Sequence, residues 1–315
     1  MKMQFDDIVF VYGALRSGTT VFRLMLDAHP QIANPGEMDF LFDWLVEDPT
    51  ASGGWRYDID GLRNDRIFRA SGLKIDTSLA GLRQLEDFFD QLAARDPGSV
   101  LSINIHRNAD RLAKIMPDVR VLHMVRDPRD IARSSIVMGW AGTLYHGVGH
   151  WIRTETAWDA AFPDLSPDRV MTLSYEALFE DAEARLTETC GFFSVPYDPA
   201  MLNYHTTTTY TAPDPSLVQQ WKHKCDPDEI ALLESRASGL MVARGYALSR
   251  PVQKLSALQK TRLTAINKVS VWRRGMKTYG AKDYWAEKVS RRLGWTKSHH
   301  RVRRRMQAIE TARLK

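Results

Sequence analysis

The sequence predicts an α/β protein with a central parallel sheet, helices on both faces and a basic helical extension at its C-terminus. Three observations carry this. Short apolar runs alternate with segments of helical period, as in strand–helix–strand units. One such run, Ile8 to Tyr12, enters a turn bracketed by Gly13 and Gly18 and continues as a helix. The charge is also unevenly divided. Residues 251–315 hold 18 Lys and Arg against three acids, a net of +15, which leaves −10 on residues 1–250 of a chain whose total is +5. A mildly acidic body and a strongly basic tail suggest two jobs, and they set the expected division at 1–250 and 251–315.

The elements follow in order. Residues 8–12 form a buried strand. After the turn, Val21, Leu24, Met25 and Ala28 fall on one helical face. His29 to Gly36 is a loop of turn formers that delivers Glu37. Leu41 to Val46 reads as a short helix and residues 48–66 as irregular. Leu79–Ala94 is helical, Val100–Ile103 is a second strand, and Ala109–Ile115 is a helix stopped by Met116-Pro117-Asp118. Val119–Val125 is a third buried strand. Asp127 caps the next helix with Pro128 at its first position. Residues 148–161 are helical, Arg169–Leu173 is a fourth strand, and a helical stretch runs from Ser174 through Cys190. Residues 203–216, rich in Thr and Pro, read as a loop or lid.

Composition excludes several classes. Apolar residues make up 44% of the chain and charged residues 26%, ordinary for a globular protein. Cys190 and Cys225 form neither a disulfide framework nor a metal-type pair. Met1 to Asp7 carries three charges and runs into the first strand, with no signal peptide and no apolar run of spanning length. The expectation is a cytoplasmic protein, soluble or bound at a membrane surface.

The chemistry concentrates at the first turn. A strand, a glycine loop and a helix N-terminus direct backbone N–H groups and the positive end of the helix dipole at one point, an anion site. The spacing Gly13-x-x-x-x-Gly18 is that of a P-loop, but Thr19 stands where the P-loop lysine belongs. The cation in the loop is Arg16, which argues against a nucleoside triphosphate, whose β- and γ-phosphates that lysine neutralises. A second motif, Arg126-Asp127-Pro128-Arg129 with Ser134, follows the third strand. An Arg at a strand end and a Ser on the next helix can meet a second phosphate at the carboxyl edge of the sheet.

Arg16-Ser17-Gly18-Thr19-Thr20 after a strand resembles the 5′-phosphosulfate loop of sulfotransferases that use 3′-phosphoadenosine 5′-phosphosulfate (PAPS), most closely the tyrosylprotein and bacterial branch. The resemblance covers about residues 6 to 246 and is carried by the two motifs. It implies a P-loop-like three-layer fold and transfer of a sulfuryl group to a hydroxyl, less readily an amine, of an acceptor, and the basic tail points to a membrane-associated glycan, lipid or lipid-linked one. It implies that Arg16, Ser17, Gly18, Thr19 and Thr20 hold the 5′-phosphosulfate and that Arg126 and Ser134 hold the 3′-phosphate. Tyr175, in a Tyr-Glu-x-Leu segment similar to the family's, either reaches the cofactor or packs in the core. Glu37 follows Gly36 as the proposed base does in the tyrosylprotein branch, and burial would raise its pKa towards neutrality. His106 is the rival base, since other branches use histidine. The family's Lys-x-Pro-x-Asn segment becomes Asn104-Ile105-His106-Arg107-Asn108, so the lysine that helps neutralise the leaving group is absent. Lys74, Lys222 and Lys224 are candidates to replace it. Trp221-Lys222 is similar to the family's late cofactor-covering region.

No metal is expected, because the single negative charge of a sulfuryl group needs less neutralisation than a triphosphate. The alternatives are a P-loop kinase, opposed by Thr19, and a non-catalytic nucleotide-binding or membrane-docking protein. In the tail, Leu258, Ala265, Val269 and Trp272 share one helical face, and Trp285, Val289 and Leu293 another. Such basic helices with tryptophans suit an anionic membrane or partner, or packing on the acidic body. Nucleic acid is not expected, since no stacking platform or base-reading motif accompanies the charge.

Overall fold

A computed structural model describes residues 8–206, 208–210 and 214–313. The N-terminal reading of Met1–Asp7, and the part of the 203–216 loop at residues 207 and 211–213, lie outside the described residues. Strands β1 (Ile8–Gly13), β2 (Ile32–Ala33), β5 (Val100–Ile105), β6 (Arg120–Val125) and β7 (Val170–Ser174) form one sheet in the order β2-β5-β1-β6-β7. Every pairing in it is parallel. Strands β3 (Leu45–Glu47) and β4 (Trp55–Tyr57) form a separate antiparallel pair.

The sheet is covered on both faces, as its apolar runs require. All of β1 is buried. Ile8, Phe10 and Tyr12 join a core with Phe40, Phe42 and Phe89 on one side. Val9 and Val11 join Phe22, Met25 and Phe193 on the other. This is the expected three-layer α/β arrangement, with β1 at its centre.

Four expectations are corrected. Residues 32–33, read as loop, pair with Val100 and Leu101 and add an edge strand. The helix expected over 41–46 is shorter, Phe40–Asp43, because Leu45–Glu47 pairs with Trp55–Tyr57. The stretch read as irregular continues into two helices, Ile59–Asn64 and Arg66–Ser71. Asp58 caps the first by accepting from the Gly61 N–H, and Asp65 caps the second by accepting from Ile67 and Phe68. The helix expected through Cys190 is two, Tyr175–Glu180 and Ala182–Phe193, parted at Asp181, which caps the second.

A buried charged cluster supports the centre of the sheet. Glu155 is fully buried and accepts from Arg244 Nε at 2.6 Å, while His123 Nε2 on β6 lies 3.1 Å from it. Arg244 also reaches Asp159 at 2.6 Å. Burial alone would raise the Glu155 carboxyl, but His123 and Arg244 outweigh it and the net direction is down.

The chain divides into two compact units. One holds the sheet: residues through Ile131, His150–Lys224 and Gly239–Ala247. The other holds Ala132–Gly149, Cys225–Ser238 and the chain from Leu248 on. Its largest elements are the helices Ala257–Tyr279, Ala281–Arg292 and Thr296–Arg313.

Candidate active site

The turn after β1 forms as its glycines predict. A side chain at Gly13 would collide with the Met124 carbonyl at 2.5 Å, so β1 and β6 approach closely there. Gly18 has φ +94° and is the N-cap of the helix Thr19–Asp27, with no side-chain cap. The first-turn N–H groups of that helix have no partners within it. The Ser17 hydroxyl is buried beside them without a hydrogen-bond partner. An uncapped helix start and an orphaned buried hydroxyl are the requirements of a bound oxyanion, so these residues fit the phosphosulfate group that the sequence implies. Arg16, in the left-handed region at φ 75°, is exposed at the rim of the turn.

The second motif is fixed from two sides. Asp127 caps its helix, accepting from the Arg129 N–H at 2.9 Å. It also takes both arms of the Arg129 guanidinium, at 2.9 and 2.7 Å. The Arg129 guanidinium is stacked on Trp221 at 3.7 Å. Arg129 is therefore a structural partner of Asp127. The Asp127 N–H donates to Glu176, which in turn accepts from Tyr246. Arg126 faces the loop, with Asp130 3.7 Å from its guanidinium. Its guanidinium lies over the Tyr175 ring at 3.9 Å and donates to the carbonyls of Arg16 at 3.3 Å and Leu217 at 3.0 Å. Tyr175 is buried, and its ring lies between Arg126 and Gly18. Ser134 lies on the helix Pro128–Val137 that begins with this motif.

Glu37 is delivered by the sheet. A parallel bridge pairs it with Asn104 at the end of β5: the Met38 N–H donates to the Asn104 carbonyl at 2.9 Å, and the Asn104 N–H to the Gly36 carbonyl at 3.3 Å. The turn before it is held by Asn34, whose Oδ1 accepts from the Gly36 N–H at 2.9 Å. His106, buried two residues beyond Asn104, has Nδ1 2.8 Å from the Gly13 carbonyl and Nε2 3.7 Å from Glu37. The second separation is that of an ion pair, longer than a hydrogen bond. With Nδ1 donating to the carbonyl, Nε2 can face the carboxylate favourably only when protonated.

The two candidate bases are therefore partners, and each shifts the other. His106 is the largest influence on Glu37 and, with Arg23 and Arg66, outweighs burial to lower its pKa. This reverses the sequence expectation of a raised value, because the cleft is cationic. Burial pushes the His106 imidazole down, but Glu37 and Asp39 outweigh it and the net shift is upward.

Glu37 opens onto a pocket of about 280 Å³ lined by Thr20, Arg23, Gly36, Arg66, Ile67 and Ser71 among others. Arg23 and Arg66 were missed in the sequence. Arg23 sits three residues past Thr20 on the same helix, a spacing that places both on one face. Arg66 carried no signal, since its helix was read as irregular. Asn104 does not act as a cation or face the pocket: it is buried, accepts from Asn34 at 3.0 Å and donates to the Thr19 carbonyl at 3.4 Å. Lys74, Lys222 and Lys224 are all exposed, and the side chain of Lys224 is engaged by Gln220. Among the described residues, no group of three or more His, Cys, Asp or Glu is arranged to hold a metal ion.

The profile of the sulfotransferase family matches residues 8–199. Protein-tyrosine sulfotransferase 1 of Danio rerio is 26% identical over 208 residues, 62% of this chain and 56% of that protein. The chain thus spans little more than half the length of that relative. Two solved structures share the fold. The sulfotransferase domain from the curacin biosynthetic pathway has a TM-score of 0.60 at 19% identity, covering 76% of this chain and 98% of that one. The sulfotransferase domain of the Synechococcus PCC 7002 olefin synthase has a TM-score of 0.53 at 22% identity, covering 73% and 94%.

Proposed function

The chain belongs to the sulfotransferase family, and from that premise we propose that it moves a sulfuryl group from PAPS to a hydroxyl, less readily an amine, of its acceptor. The observation that carries the reading is the uncapped Gly18 helix start with the orphaned Ser17 hydroxyl before it, on a helix whose Thr20 lines the same pocket as Glu37. Bound PAPS would supply an activated sulfuryl group with a phosphate as its leaving group.

The roles follow from chemistry. The N–H groups at Gly18, Thr19 and Thr20, the Ser17 hydroxyl and Arg16 hold the 5′-phosphosulfate and take up charge on the phosphate oxygen as its bond to sulfur breaks. Arg126 and Tyr175 serve the nucleotide end. Ser134 keeps the 3′-phosphate role given by its motif alone. Glu37, ionised at neutral pH, accepts the acceptor's proton as the new sulfur–oxygen bond forms. Its lowered pKa makes it a weak base that is always ready. His106, held at Gly13, positions the carboxylate and keeps it ionised. A phenol is the acceptor best matched to so weak a base, because its proton is more acidic than an alkanol's.

A second reading is favoured by one observation: Asn104, at the family's lysine position, is consumed by Asn34 and the Thr19 carbonyl. The protein would then bind nucleotide without turnover. Thermal-shift titration with 3′-phosphoadenosine 5′-phosphate (PAP), ADP and ATP, with and without magnesium, tests the site. Ligand that binds only the folded state raises the melting temperature with its affinity. Selective stabilisation by PAP without magnesium is expected. An equal response to ADP, or a response to ATP only with magnesium, would overturn the reading in favour of a kinase. Release of PAP from PAPS across a panel of phenols and alcohols then separates enzyme from binder. A peripheral place at a membrane is a separate matter, carried by the C-terminal helices alone.

A further inference from the structure

The C-terminal helices carry a surface that sulfuryl transfer does not use. Within its own compact unit, the helix Ala257–Tyr279 has one face pinned down. The Gly142 N–H donates to Asn267 Oδ1 at 2.7 Å, Thr264 Oγ1 lies 3.4 Å from His146 Nε2, and Arg274 donates to the Val137 carbonyl. A side chain at Gly142 would meet the Ser270 Cβ at 2.3 Å, so the helix is seated as closely as glycine permits. Gly275 admits the Tyr284 ring in the same way and fixes the next helix, Ala281–Arg292.

The opposite face is open. Leu258, Arg262, Ile266, Val269, Arg273 and Lys277 recur at three- and four-residue intervals and are all exposed. They form one stripe roughly 29 Å long at 1.5 Å per residue. Trp272 continues it towards Trp285 on the next helix. The two rings meet edge to face at 5.4 Å, and each is 39% exposed. Val289, Arg292, Leu293 and Trp295 prolong the exposed series.

Aliphatic, aromatic and cationic side chains are interleaved in this stripe. A protein-binding surface gathers its apolar groups at a centre from which charge is depleted. A lipid surface accepts both kinds at once: apolar side chains and indoles enter the headgroup boundary, while the long stems of Arg and Lys carry their charge out to lipid phosphates. The acids of residues 251–315 do not oppose this, being engaged elsewhere. Asp283 pairs with Arg305, Glu287 with Arg291, and Glu310 accepts from Tyr279. We propose that this face docks the protein on an anionic lipid bilayer. Ile266, Val269, Trp272 and Trp285 enter the headgroup boundary, and Arg262, Arg273 and Lys277 meet the lipid charge.

The inference stands on the C-terminal surface alone and does not depend on the reaction. Its test is co-sedimentation of the full chain with phosphatidylcholine vesicles, with and without phosphatidylserine. Binding is expected only with phosphatidylserine, weakening as salt is raised. Each surface cation contributes about fivefold, so Arg262→Gln/Arg273→Gln/Lys277→Gln should bind roughly a hundredfold more weakly. The Arg262→Lys/Arg273→Lys variant should bind as the wild type does. Val269→Ser/Trp285→Ser should lose binding while keeping stabilisation by PAP. No binding to phosphatidylserine vesicles, or full binding by the triple Gln variant, would overturn the proposal. So would a concentration-dependent dimer in sedimentation velocity that Val269→Ser/Trp285→Ser abolishes, since the face would then join two copies of the chain.

Discussion

Gly18→Ala is the sharpest perturbation of the proposed anion loop, because its cost can be worked from two separate features. The first is backbone: φ is +94°, where an L-residue costs about 1–2 kcal/mol. The second is space. The new Cβ would stand 2.2 and 2.4 Å from two carbons of the Tyr175 ring. That ring cannot turn aside freely, since the Arg126 guanidinium lies 3.9 Å over it and Phe179 packs 4.5 Å away. Overpacking of this kind costs about 1–3 kcal/mol. Against these stands about 0.4–1 kcal/mol gained by restricting the unfolded chain. The net is about 2–4 kcal/mol, which should lower the melting temperature by about 5–12 °C. The assay is thermal unfolding of Gly18→Ala, Tyr175→Ala and the double variant. Tyr175→Ala removes the crowding but leaves the backbone cost, so the alanine at 18 should cost about 1–3 kcal/mol less in that background. An equal loss in both backgrounds would refute the claim that the ring sets the limit. PAP stabilisation should vanish in Gly18→Ala and persist, weakened, in Tyr175→Ala.

Further expectations follow from the same geometry. Glu37→Gln should lower kcat by about 10²–10⁴-fold, the usual range for a general base, while PAP binds as before. An unaltered kcat would transfer the role to His106. The pH profile of kcat/KM should have its acid limb below the ordinary glutamate value of 4.5 and its alkaline limb above the ordinary histidine value of 6.5. The sign follows from the pair. Glu37's contribution, fully present above its unfolded value, is lost as pH falls through its lowered folded value. That of His106, fully present below its unfolded value, is lost as pH rises through its raised one. His106→Gln should move the acid limb upward, and a stationary limb would dissociate the two residues. Arg244→Ala strips fully buried Glu155 of its arginine partner, so unfolding measurements should show a loss of about 3–5 kcal/mol. Removing both charges, as Arg244→Met/Glu155→Gln, should cost less.

Much of this arrangement was legible in the chain because the signals were local. The run from Ile8 to Thr20 contains its strand, both glycines and the helix start within 13 residues, and each is explained by its neighbours. The Arg126 turn was legible for the same reason, since Asp127 and Pro128 encode their own cap. What escaped depends on distant partners. Ile32–Ala33 is a strand only because Val100 and Leu101 lie beside it. Trp55–Tyr57 alternates inward and outward over three residues, too few to register as a period. The caps at Asp58 and Asp65 were present in the sequence, but the glycines and aspartates around them read as loop. The direction of the Glu37 shift was beyond reach for another reason. It is set by His106, just beyond β5, and by Arg23 and Arg66 on two separate helices.

The bridge between Glu37 and Asn104 has a consequence for how acceptors could be exchanged in evolution. The carboxylate hangs from sheet backbone, so its height above the loop is fixed by strand register and not by the side chains around it. The opposite wall, Arg66, Ile67 and Ser71, belongs to one short capped helix outside the sheet. The pocket is thus built like a vice with one fixed jaw and one interchangeable jaw. On the proposed function, insertions or substitutions in residues 59–71 would retune which acceptor is gripped, while Glu37 and the turn at Gly18 keep their spacing.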